Sequence, residues 1–163
     1  MSAASKMADN KIFKTGLVLF CIGRGLSIIE SIGLLIYDLI YSFNEQLYGY
    51  SNLRTVVFLI ISALLTASVI VFAAVTNKRL KANESVRAAA IALSISIAVT
   101  LLFVTYGILN NIISDLLVYR FADVSALIAY IAQSLLLTVV SGDLLSIIGG
   151  FILFAYGLKK AKK

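Results

Sequence analysis

Histidine and proline are both missing from the 163 residues, cysteine occurs once and methionine twice. With no histidine, a single thiol at Cys21 and methionine only at Met1 and Met7, the chain lacks the side chains that haem, catalytic zinc and copper sites draw on. No cofactor or metal is therefore expected, and one cysteine rules out an internal disulfide. Cys21 lies in the first apolar run and reads as a buried, inert thiol. Without proline, nothing in the chain forces a helix to kink or break. Charge is scarce too, at 13% of residues.

What remains is apolar. Hydrophobic residues make up 61% of the chain and the mean hydropathy is +1.01, more apolar surface than a soluble domain of this size can cover. Residues 55–77, 88–114 and 124–142 form runs free of charge. About 20 helical residues cross a hydrocarbon core of about 30 Å, so each run is of spanning length. A segment in lipid must satisfy its own backbone, and continuous apolar runs without period-2 alternation select helices over a barrel. The fold class expected is all-α, a polytopic transmembrane helix bundle with spans at about 16–36, 56–76, 88–109 and 138–158.

Of the 14 basic residues, all but Arg24, Arg54 and Arg120 fall in the N-terminal segment, the middle loop or the C-terminus. This asymmetry is the positive-inside pattern; it predicts a plasma-membrane protein with both termini and the middle loop cytoplasmic. All tyrosines except Tyr156 fall at or near the opposite face, as an interfacial aromatic belt would. The net charge of +6 is thus topogenic, with the lipid bilayer rather than nucleic acid as its partner. The first run is too long for a signal-peptide core and no small-residue cleavage site follows it, so it reads as a retained helix. The sequon at Asn83 would sit in the cytoplasmic loop, beyond the reach of glycosylation.

Residues 111–136 are mostly apolar yet cannot all join the last span, because a straight helix from 124 to 158 would measure about 52 Å. They are expected to form an amphipathic or re-entrant helix at the outer interface, or a helix projecting beyond the membrane, capped by residues 36–50. A further option, two spans joined by a turn at Ser141-Gly142-Asp143, would put the C-terminal lysines outside and ranks last.

Three charged residues fall within the spans. Counted from Lys14, Arg24 lies about 15 Å into the membrane and Glu30 about 24 Å; counted from Lys159, Asp143 lies about 24 Å deep. A charge inside a span costs roughly 2.5–3.5 kcal/mol and normally faces the bundle interior, so Arg24, Glu30 and Asp143 are expected to form a membrane-embedded polar cluster, with Arg24 bridging to Asp143. Small residues recur every fourth position in three sets: Gly23, Ser27 and Ser31; Ala90, Ser94 and Ala98; Gly142, Ser146 and Gly150. That spacing gives each span a close-packing face, and Glu30 and Asp143 project within about 20° of those faces.

The absences exclude most enzyme classes. Gly23 and Gly25 are no nucleotide loop, since they sit in an apolar helix without a preceding strand. Tyr37-Asp38 and Ser141-Gly142-Asp143 resemble, in fragments, the paired motifs of presenilin-like intramembrane aspartyl proteases. Val140 stands in place of the first glycine of the second motif, however, and a proline-free chain has no Pro-Ala-Leu. The resemblance implies a shared proton between Asp38 and Asp143, whose counted depths differ by about 12 Å. The sequence favours instead a non-enzymatic structural, assembly or accessory subunit that meets other membrane subunits or itself. A small oligomeric transporter or channel using Arg24, Glu30 and Asp143 is the alternative, and the protease-like reading a remote one.

Overall fold

The structure, a computed structural model, describes residues 3–42, 49–82, 84–118 and 124–162. They form five helices: α1 Ala3–Ser42, α2 Gly49–Lys81, α3 Arg87–Val118, α4 Val124–Val140 and α5 Asp143–Ala161. Four segments are long and apolar enough to cross a membrane: Lys11–Tyr37, Thr55–Lys81, Arg87–Asn110 and Asp143–Ala161. The chain is a small integral membrane protein of all-helical architecture.

The first three expected spans lie inside these segments, but the fourth does not begin at 138. The helix breaks at Ser141 and Gly142, and Gly142 takes the left-handed conformation, with φ 82° and ψ −1°. A side chain there would meet its own backbone, so glycine at this one position splits a continuous apolar stretch in two. The turn is the one required by the option ranked last. Residues 111–118, expected to belong to a separate outer segment, continue α3 instead. The 17 residues of α4 extend about 26 Å, and its described side chains are largely exposed. Among the described residues it packs on α5 and α3 and on neither α1 nor α2. Among the described residues α1 touches neither α3 nor α4, so residues 36–42 do not form the expected cap against 111–136; its residues 43–48 and 119–123, and Asn83 of the sequon, lie outside those described.

Among the described residues the spans close into a ring in the order α1, α2, α3, α5, in which each touches two neighbours and none touches the one across. Their centre is filled by Phe20, Val69, Leu93, Ile97 and Leu153, all fully buried. At the end of the bundle that carries both termini, the Phe13 and Tyr156 rings meet at 4.9 Å between centroids. Large apolar side chains such as Ile29, Leu64, Leu102 and Phe151 stand exposed on the outside. In water that surface would drive aggregation; in a bilayer it is the surface that acyl chains solvate.

Candidate functional site

Two glycines on α1, one on α5 and one in the turn before α5 decide where the charged residues meet. A Cβ at Gly23 would collide with the backbone of Ser146 and Gly142, and one at Gly149 with the backbone of Phe20 and Gly16. The pairs Gly16/Gly23 and Gly142/Gly149 are each seven residues apart, close to two helical turns, so both sit on one face and let the antiparallel backbones touch. A third pair at the same spacing, Gly150 and Gly157, turns to α3 and packs against Leu101, Ser94 and Ala90. Of the small residues singled out at four-residue spacing, Gly23, Ala90, Ser94, Gly142, Ser146 and Gly150 are buried at helix seams, whereas Ser27, Ser31 and Ala98 are half-buried. Gly16, Gly149 and Gly157 escaped that search because their interval is seven.

The glycine ladder runs Phe13 to Tyr156, Gly16 to Ile152, Phe20 to Gly149 and Gly23 to Ser146. It sets Arg24 directly opposite Asp143, with Nη1 to Oδ1 at 3.6 Å. Counting depth from Lys14 had placed Arg24 well below Asp143. The count fails because a flexible lysine does not fix a helix's axial position, while two glycine contacts do.

Arg24 is 2% exposed and draws on three spans. From α1 its Nε donates to Thr66 Oγ1 at 3.2 Å and its Nη2 to Ser62 Oγ, both on α2, while Nη1 pairs with Asp143 at the start of α5. Thr66 Oγ1 donates in turn to the Ser62 carbonyl at 2.8 Å. Ser62 and Thr66 were not anticipated; hydroxyls four apart on a span free of charge were the available signal. Asp143 opens α5, where a carboxylate also favours the positive end of the helix dipole. The hydroxyls of Ser27 and Ser141 lie close to its carboxylate, and Ser141 Oγ donates to the Thr138 carbonyl at 3.1 Å. The cluster is therefore a closed cross-link: a cation, an anion and neutral donors and acceptors from α1, α2 and α5.

Glu30 does not join it by a bond. Gly142 sits opposite Gly23, so α5 has ended by the level of Glu30, and the packing face that Glu30 continues has nothing left to pack on. Its side chain is exposed and, among the described residues, has no ion pair or hydrogen bond, although it lies near enough to Asp143 to feel that charge. Other hydroxyls in the spans turn back on their own helices, among them Thr76 to Phe72, Ser94 to Ala90 and Thr100 to Ser96, each at 2.7–2.9 Å to a carbonyl four residues earlier. Ser68 likewise donates to the Leu65 carbonyl at 2.7 Å, and its oxygen also meets the Ser96 hydroxyl across α2 and α3.

Asp38 lies 14 residues beyond Arg24 on the same helix, about 21 Å along the axis from the level of Asp143, and its side chain is outside those described. Among the described residues no group of three or more Cys, Asp or Glu side chains could hold a metal ion. No family model, curated protein or solved structure matches the chain.

Proposed function

We propose that this chain is a non-enzymatic structural, assembly or accessory subunit of a larger membrane complex, seated in the plasma membrane with both termini and the 82–86 loop cytoplasmic. The observation that carries the reading is the contrast between Arg24 and Glu30. Arg24 is engaged within the bundle by Ser62, Thr66 and Asp143 and is buried there, which keeps it from a solute. Glu30, in the same span, is exposed and has no partner among the described residues. A bundle whose interior is closed and whose unmatched polar group points outward is suited to meeting another protein. The basic residues clustered at the end with both termini support the orientation.

Purification of the tagged chain from its native membrane in a mild detergent, together with ion flux in liposomes, tests the role. Stoichiometric recovery with other membrane subunits and no flux is expected. Proton-coupled flux abolished by Glu30→Gln would overturn the reading in favour of a transporter. Because Cys21 is the single cysteine, a Cys21→Ser background with one new cysteine at Ser85 or Lys163 tests orientation by labelling of intact cells. Both positions should be protected until the membrane is permeabilised.

A further inference from the structure

We infer that the face of α1 bearing Glu30 and Gly33 docks a transmembrane helix of another protein that carries a lysine or arginine within its span. The inference rests on the accessory reading above and names the chemistry of the partner. Glu30 stands six residues from Arg24, which is the midpoint of the span Lys11–Tyr37, and so lies about 9 Å from the middle of that span. The α2 contacts of Arg24 are centred between Ser62 and Thr66, ten residues from Arg54. Glu30 is therefore about 6 Å nearer the bundle centre than the level of Arg54, inside the apolar zone. The Cα–Cβ bond of a helical residue tilts toward the helix N-terminus, which here aims the carboxyl further inward rather than out to water. An acid at this depth with no partner among the described residues is expensive, and such groups are normally matched by a partner.

The neighbouring position is shaped for close approach. Gly33 lies one turn beyond Glu30 and, among the described residues, nothing comes within 4 Å of where its Cβ would be. The glycines at 16, 23, 107, 142, 149, 150 and 157 are each explained by a contact inside the bundle; Gly25 and Gly33 are not, and of these two Gly33 lies one turn from Glu30 on its face. A bare glycine beside an acid on an exposed helix face lets a second backbone come close enough for its cation to reach the carboxylate.

A second copy of this chain does not supply that cation. Arg24 is the one basic residue placed away from the span ends, and it is buried and already engaged with Asp143, Ser62 and Thr66. Two copies would bring acid against acid. The complement must come from a different helix with a basic group about 9 Å from its own midpoint.

The test reconstitutes the full chain in liposomes with a labelled, leucine-rich helix of about 23 residues carrying one lysine six residues from its midpoint. A matched helix has leucine at that position. Energy transfer between chain and helix is read for wild type, Glu30→Gln and Gly33→Leu, with homo-transfer between two labelled copies of the chain measured alongside. The expected result is association with the lysine helix at least about tenfold tighter than with the leucine helix. Glu30→Gln should remove that preference. Gly33→Leu should also weaken association while leaving bundle stability unchanged, because its position is open within the bundle. Equal binding of both helices, or an unchanged preference in Glu30→Gln, would overturn the Glu30 pairing while leaving the accessory role standing. Self-association lost on Glu30→Gln would overturn it in favour of a second copy. Glu30-dependent proton flux would instead remove the accessory reading itself.

Discussion

Helices α1 and α5 are held by their backbones, helices α2 and α3 by their side chains. Along the first seam Gly16, Gly23, Gly142 and Gly149 leave no room for a Cβ, so the two helices meet at one axial setting. Along the second, Phe58 stacks on Phe103 with centroids 4.3 Å apart and planes 25° apart, and Ser68 joins Ser96. Aromatic rings and hydroxyls can re-adjust; a backbone cannot. Since lipid offers no hydrophobic drive for helices to associate, contact area and hydrogen bonds must do it. The seam with a fixed setting is also the one that aligns Arg24 with Asp143. The difference teaches that polar matching in this bundle depends on the glycines more than on the charged residues themselves.

Substitutions at the two seams should break that contrast in graded fashion, read as unfolding midpoints in mixed micelles by circular dichroism. The largest effect is expected from Gly23→Leu, which forces α1 from α5 and separates Arg24 from Asp143; the native bundle should fail to form. Arg24→Leu should follow, at about 3–5 kcal/mol, since it strands Asp143 inside the protein. Replacing Arg24 and Asp143 together by leucine should cost less than the sum of the single changes, and strict additivity would show that the pair does not interact. At the other seam, a double-mutant cycle on Phe58→Ala and Phe103→Ala should give a coupling of about 1 kcal/mol. Ser68→Ala should be smallest, about 0.6 kcal/mol, as for a typical interhelical hydrogen bond in lipid. A loss at Ser68 as large as that at Arg24 would erase the distinction between the seams.

Much of the architecture was legible in advance, for particular reasons. The runs at 55–77 and 88–114 are long, unbroken and bounded by charge, Arg54 and Lys78 for one, Arg87 and Asp115 for the other, so length and charge alone located α2 and α3. Arg24 and Asp143 could be matched because a buried charge in lipid requires a partner and few were on offer. Glu30 was harder. Its angular nearness to Gly23 pointed it at the packing face, but that face ends where α5 ends, and the end of α5 is set by the left-handed turn at Gly142. Ser62 and Thr66 were hidden among serines and threonines that mostly bond their own backbones.

Composition and periodicity by themselves determined that the chain is helical, that it lives in lipid, and where three of its four spans lie. These follow from solvent: apolar segments in a bilayer must close their own hydrogen bonds, whatever they pack against. The tertiary structure decided the break between α4 and α5, the axial setting of α1 against α5, and hence which charges meet. Such choices depend on backbone contacts between residues more than a hundred positions apart, Gly23 with Gly142 above all, and no local property of either segment encodes them.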